Sequence, residues 1–229
     1  TENGRFYVAW GNSFNPSAEN LASNGGGLSA ATENLAPEKN ETWELGTKWE
    51  LLDKRVELDA ALFRVEKTNA RETMSDGSTQ LVGVTGRVTE LWDVFANYTF
   101  LDSETLDAAN TPAGNDRKGQ ALGNTPPHSF NLWTTYELPA GWSVGYGARY
   151  ASKRNVTSST TAKLDAFWVH NAMVGYQVND DLELQLNVNN LFNKDYVERV
   201  RQQNGNAARS SAIEYGDARS AIASATYSF

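Results

Sequence analysis

The stretch Leu182-Glu183-Leu184-Gln185-Leu186-Asn187-Val188-Asn189 decides the fold. Every second side chain is aliphatic and every other one is polar. Successive side chains of a strand point to opposite faces, so this pattern builds a strand between an apolar and a wet environment. Trp142, Val144, Tyr146, Ala148 and Tyr150 repeat it against Ser143, Gly145, Gly147 and Arg149. Trp92, Val94, Ala96, Tyr98 and Phe100 do the same, as do Phe130, Leu132, Thr134, Tyr136 and Leu138. Trp43, Leu45, Thr47, Trp49 and Leu51 alternate with Glu44, Gly46, Lys48 and Glu50. No comparable helical stripe is present.

Counted this way, the chain holds about ten strands, near 4–13, 42–52, 55–67, 79–89, 91–102, 128–138, 142–152, 166–178, 181–192 and 218–229. Most run about 10–12 residues, where globular strands average about 5–6 and tilted membrane-crossing strands need about 9–11. The connections alternate in length. Short turns fall at Leu52–Arg55, near Glu90, at Pro139-Ala140-Gly141 and at Asn179-Asp180-Asp181, built from Asp, Asn, Gly and Pro. Between them lie long polar segments, Asn15 to Glu41, Asp102 to Pro127, Ser152 to Asp165 and Asn193 to Asp217. Short turns on one rim and long loops on the other describe a transmembrane antiparallel β-barrel with short periplasmic turns and long extracellular loops. An even strand number places both chain ends on the short-turn side.

Composition agrees with this and excludes several functions. The chain has 229 residues and 40% apolar residues, with a mean hydropathy of −0.54. No run of about 18 apolar residues supports a membrane helix, whereas an alternating barrel averages to a polar composition. Net charge is −8, which argues against nucleic-acid binding. The chain contains no cysteine, which excludes a disulfide scaffold, a Cys nucleophile and a Cys-ligated metal, and its two histidines argue against a His-rich metal site. No cofactor is expected. The chain begins at Thr1 without a charged-then-apolar leader, as expected of a processed or partial chain.

A soluble up-and-down barrel also alternates. Strand length argues against it, and so does the placing of aromatics. Trp43, Trp92, Trp142, Tyr136, Tyr150, Phe100 and Tyr227 sit toward strand ends, while Val, Leu and Ala hold the middles, as in interfacial girdles. Small residues on the apolar face, Ala96, Ala148, Ala223 and Ala225, suit lipid better than a close-packed core. The chain ends Ala225-Thr226-Tyr227-Ser228-Phe229. Tyr227 and Phe229 on an alternating terminal strand resemble the assembly signal of bacterial outer-membrane proteins.

Several runs resemble TonB-dependent outer-membrane siderophore receptors, in particular the catecholate type. Asn189-Asn190-Leu191-Phe192-Asn193-Lys194-Asp195-Tyr196 is similar to that family's N-L-F-D/N-K-x-Y. Gly216, Arg219 and Phe229 resemble its terminal pattern. Pro37-Glu38-Lys39 followed by Trp43-Glu44-Leu45-Gly46-Thr47-Lys48-Trp49 resembles its P-E and E-L-G-x-K region, and Ala61–Asn69 the strand after it. Asn124-Thr125-Pro126-Pro127-His128 resembles an N-T-P-x-H strand entry. The resemblance implies that residues 1–229 are the C-terminal part of a barrel of about 22 strands, without the plug domain and TonB box of a full receptor. It implies ferric siderophore and TonB as partners of the full-length parent. Lipid, lipopolysaccharide and the barrel-assembly machinery, through the C-terminal strand, follow as partners from the outer-membrane setting. Leu81-Val82-Gly83 runs almost directly into Val84-Thr85-Gly86-Arg87, so about one strand's worth of the family pattern looks deleted there. Three readings stay open: a fragment not transport-competent alone, a degenerate gene product, or a self-contained ten-strand barrel acting as passive pore or scaffold.

No catalytic constellation stands out, and the chain is read as not an enzyme. His128 and His170 are read as satisfied rim or wall residues, and the carboxylates of 102–107 as a solvated loop. Glu44, Lys48, Glu50, Arg149, Glu183, Gln185, Asn187 and Asn189 make the inward face, which needs water, a plug or cross-lumen partners. Gly11, Gly46, Gly145 and Gly147 in the wall allow either close approach or strand curvature. Ligand recognition falls to the long loops. Arg154, Arg199, Arg201 and Arg209 suit an anionic ferric chelate, and Tyr196 and Tyr215 suit stacking on catechol rings.

Overall fold

The computed structural model describes residues 3–15, 37–68, 73–108, 118–156, 162–202 and 211–228. The elements are β1 (Gly4–Asn15), β2 (Glu38–Leu51), β3 (Val56–Thr68), β4 (Thr73–Thr89), β5 (Trp92–Ala108), β6 (His128–Glu137), β7 (Trp142–Ala151), β8 (Arg154–Asn155), β9 (Lys163–Leu164), β10 (Phe167–Gln177), β11 (Leu182–Asn189), β12 (Val197–Gln202), β13 (Ser211–Tyr215) and β14 (Ser220–Tyr227). Ten of them form one antiparallel meander in the order β1-β2-β3-β4-β5-β6-β7-β10-β11-β14. The other four form two small ribbons, β8–β9 and β12–β13, inside two of the long connections.

The period-two pattern and the register together put one continuous apolar surface on the outside of the sheet. Tyr98 lies opposite Phe130, Phe130 opposite Tyr150, and Tyr150 opposite Trp168, an aromatic row across four strands near the long-loop rim. The rings of Tyr150 and Trp168 meet at a tilt with centroids 4.8 Å apart. A second row near the short-turn rim pairs Trp92 with Tyr136 and Trp142 with Tyr176, centroids 4.6 Å apart. Between the rows run aliphatic partners such as Val144 opposite Val174 and Val174 opposite Leu186. Trp142 and Tyr150 mark the two rows on β7. Eight residues of strand at about 3.3 Å rise and about 40° tilt separate them by roughly 20 Å along the membrane normal, close to the about 25 Å apolar band of such barrels. Leu184, Leu186, Trp142, Val144 and Trp168 are all exposed, as lipid-facing side chains are in the absence of lipid.

The other face is polar, and its charges pair along the wall. Lys48 reaches Glu57 on the neighbouring strand at 3.4 Å, and Arg87 reaches Asp93 across the β4–β5 turn at 3.3 Å. Of the wall glycines, three are close-approach sites and one is not. A side chain on Gly46 would meet the Tyr7 ring at 2.3 Å, and one on Gly147 would meet the Trp133 ring at 2.7 Å. Gly145 lies 3.1 Å from both Met173 and Trp133, whereas Gly11 has nothing within 4 Å. In each close case an aromatic from the adjacent strand lies across the glycine, so the wall itself fills the space.

The short turns at residues 52–55, 90–91, 139–141 and 178–181 all lie on one rim. The region where a strand looked deleted is one strand, β4, paired along its length with β3 and with β5. Among the described residues no ladder joins β1 to β14, and these two are the edges of the sheet. Every described residue of β14 is exposed on both faces.

Candidate functional site

The long-loop rim carries one assembled cluster, where the excursion between β11 and β14 folds back onto the inner face of the wall. The excursion starts from a knot around Asn190, whose φ of 47° turns the chain sharply out of β11. Asn190 is 3% exposed. Its Nδ2 donates to the carbonyls of Lys194 and Asp217, both at 2.9 Å. Its Oδ1 accepts from the Lys194 amide at 2.8 Å. Asn193, also at positive φ, accepts from the Arg219 amide at 3.0 Å. The Asn-rich run therefore ties the two ends of the excursion together, and Gly216 is open enough for the Tyr196 ring to lie against it.

From this knot, β12 lies against the top of β7. Arg149 forms a two-pronged ion pair with Glu198. Arg154, only 4% exposed, donates from Nη2 to the carbonyls of Val197 at 2.9 Å and Glu198 at 2.5 Å. Both guanidinium groups face the ring of Phe167, at 5.0 Å for Arg149 and 5.4 Å for Arg154, and Tyr196 stacks on the same ring at 4.4 Å. Asn124 makes a two-bond clamp on Val200, Nδ2 donating to the carbonyl and Oδ1 accepting from the amide, each at 2.9 Å. A cleft of about 180 Å³ opens among Asn131, Arg149, Arg154, Phe167 and Glu198.

Burial pushes the Arg154 guanidinium below its ordinary value, partly opposed by Glu198. Burial also raises the Tyr196 phenol, against the pull of Arg149. On the exposed hairpin, Glu214 accepts from Arg199 at 2.7 Å and from Arg201 at 2.9 Å. The Arg199 hydrogen bond holds the Glu214 carboxyl below the usual carboxylate range, and Glu214 raises Arg199 in return.

Of the loop residues singled out from the sequence, Arg154 and Tyr196 sit together in the cluster. Arg199 and Arg201 share Glu214 about one hairpin away, and Tyr215 ends β13, 68% exposed. Arg209 and Phe229 lie outside the described residues. Tyr227 stands on the outer face of β14 opposite Leu182. Asn124, Phe167, Glu198 and Asn190 were not singled out as site residues. Two of these lie in the quoted N-T-P-P-H and N-N-L-F-N-K runs. Glu198 carries no local signal, being 49 positions from the arginine it binds. His128 and His170 lie on the outer face, their Nδ1 atoms 2.7 Å and 2.6 Å from the hydroxyls of Tyr98 and Tyr146.

An outer face banded by aromatics, a polar inner face, one rim of turns and one of loops define an outer-membrane β-barrel wall. A family model described as "TonB dependent receptor-like, beta-barrel" matches residues 1–191. The chain belongs to this family and is an outer-membrane protein of the Gram-negative kind. Among its relatives, the catecholate siderophore receptor Fiu of Escherichia coli K12 is 36% identical over 219 residues, covering 88% of this chain and 28% of Fiu. The probable TonB-dependent siderophore receptor PiuA of Acinetobacter baumannii is 34% identical over 220 residues, covering 87% of this chain and 29% of PiuA. The crystal structure of PiuA superposes with a TM-score of 0.84 at 30% identity, over 99% of this chain and 34% of that one. The closed form of Fiu gives 0.83 at 33% identity, over 100% and 33%. The chain thus spans less than a third of the length of the curated relatives it matches.

Proposed function

We propose that this chain is the C-terminal sector of the barrel of an outer-membrane receptor for ferric siderophores of the catecholate class. The observation that carries the reading is the β12–β13 hairpin, fixed on the inner face at the loop rim by Asn124, Arg149 and Arg154. A loop anchored this way forms a shaped wall at a channel mouth, where a chelate is caught before it moves inward. The name of Fiu supports the catecholate class, and that of PiuA supports a siderophore in general. That no ladder joins β1 to β14 among the described residues supports a larger barrel, because an open sheet edge is unfavourable next to lipid.

In this reading the parent receptor binds the chelate at the extracellular loops. TonB, powered by the proton gradient of the inner membrane, then remodels a plug domain, and the chelate passes. In this reading the wall sector does not carry out active uptake by itself. Arg201 and Tyr215 are proposed to meet ligand from the hairpin, and Arg209, outside the described residues, is proposed to contribute a further cation. Arg154, Arg199 and Tyr196 are proposed to shape the mouth. Lipid and lipopolysaccharide surround the aromatic bands, and the terminal sequence carrying Tyr227 and Phe229 addresses the barrel-assembly machinery. The protein is a receptor rather than an enzyme.

The test is uptake of radioactive iron as its dihydroxybenzoyl chelate by cells lacking their own catecholate receptors and carrying the full-length parent gene. TonB-dependent uptake is expected. Absence of uptake overturns the reading, and equal uptake without TonB converts it to a passive pore.

A further inference from the structure

We propose that the outer face of β1–β4 carries a seat for an acyl chain of lipopolysaccharide. Phe6, Thr47, Ala60, Val82 and Tyr98 pair in one row across five strands, all facing outward. Aromatic rings stand at the two ends of the row and short side chains lie between them. The result is a cavity of about 300 Å³, floored by Thr47 and Ala60 and walled by Phe6, Leu45, Leu62 and Val82. The four wall residues are 43% to 73% exposed, while Thr47 and Ala60 are half-buried between them. The Thr47 hydroxyl donates to the Arg5 carbonyl at 3.1 Å, so the polar atom in the floor is satisfied by the wall itself.

Position chooses the occupant. The cavity is continuous with the lipid-facing surface, so hydrocarbon enters it. Lipid tails are as apolar as the cavity walls, and the gain is close packing in a shaped space rather than escape from water. One step toward the loops from Leu45, Leu62 and Gln80, the outward residues are Trp43, Arg64 and Ser78, paired across β2, β3 and β4. The cavity therefore ends loopward at the polar boundary of the bilayer, within the outer leaflet. The lipid of that leaflet in a Gram-negative outer membrane is lipopolysaccharide. Gln80 lines the cavity at this end, opposite Leu62. A side-chain amide beside hydrocarbon needs a hydrogen-bond partner. The amide-linked chains of lipopolysaccharide offer Gln80 both a donor and an acceptor, whereas an ester-linked phospholipid chain offers an acceptor alone. The seat lies on the outer wall and does not depend on what passes through the lumen.

The experiment titrates lipid A, and separately dipalmitoylphosphatidylethanolamine, into the full-length receptor in detergent and counts bound lipids by native mass spectrometry. Lipid A is expected to bind at least about fivefold tighter than the phospholipid. Ala60→Phe fills the cavity from its floor and is expected to weaken lipid A at least about tenfold. Ala96→Phe, on the outer face opposite Leu132 and away from the cavity, should leave it unchanged. Gln80→Leu makes the wall more apolar and is expected to erase the preference for lipid A while phospholipid still binds, a result that misfolding does not produce. Equal affinity of the two lipids for the wild type, or undiminished lipid A binding in Ala60→Phe, overturns the proposal. So does a receptor dimer that Ala60→Phe dissociates, the result expected if a second copy fills the cavity. Lipid A carries no iron, so failure here and failure of uptake are separate results.

Discussion

Replacing Asn190 tests whether the Asn-rich run is a structural knot that sets the loop cluster. Asn190 is 3% exposed and its side chain makes three hydrogen bonds. Each contributes about 1 kcal/mol net, and all three bonds are part-buried, so their joint loss costs about 3 kcal/mol. Its φ is 47°, and an alanine there costs about 1–2 kcal/mol more, a penalty that glycine does not incur. Asn190→Gly is therefore expected to open the knot by about 3 kcal/mol and Asn190→Ala by about 4–5 kcal/mol. The readout is amide hydrogen exchange at Lys194 and Arg219, whose N–H groups are held by Asn190 and Asn193. At about 1.4 kcal/mol per decade, Asn190→Gly should speed exchange by roughly a hundredfold and Asn190→Ala by roughly a thousandfold. The β7–β10 ladder, away from the knot, should be unchanged. Exchange unaltered in both variants, or faster in glycine than in alanine, refutes the reasoning.

Leu186→Arg, on the outer face between Val174 and Ala223, should destabilise the receptor in lipid by about 2–4 kcal/mol. Gln185→Arg, one position away on the inner face, should change it by less than about 0.5 kcal/mol, as measured by denaturant unfolding in vesicles. Gly216→Ala places a side chain 1.8 Å from the Tyr196 ring. It should expel Tyr196 from Phe167 and make the β12–β13 hairpin sensitive to limited proteolysis. Arg199 holds Glu214 below its ordinary value of 4.5. A depressed carboxyl contributes stability that is full above that value and is lost as pH falls through the lower folded one. Hairpin protection followed by exchange should therefore fall only in acid, and Glu214→Gln should remove the pH dependence.

The wall was legible strand by strand. Alternation places the ten sheet strands, and observed and expected boundaries agree within a few residues apart from the starts of β2 and β4 and the loop-side end of β5. The ribbons β8–β9 and β12–β13 were not visible, because they are two to six residues long and polar, without an apolar face to impose a period. The family-like runs at Asn124 and Asn190 were legible as motifs. Their work was not, since Asn124 holds a residue 76 positions away. The arginines were rightly placed in loops by sequence. Which of them are buried, paired or exposed depends on the fold of the excursion that carries them.

The sequence by itself determined the membrane wall. A strand between lipid and water must alternate, and the number, direction and outer face of the strands follow from that local rule together with turn chemistry. Tertiary structure decided what the wall encloses at its mouth. The contacts there join Asn124 to Val200, Arg149 to Glu198 and Asn190 to Asp217 across long separations in the chain. They also leave the buried Nη1 of Arg154 without an acceptor among the described residues. Such a balance of charge and hydrogen bonds exists only once distant segments meet, because no local period records a partner that is many residues away.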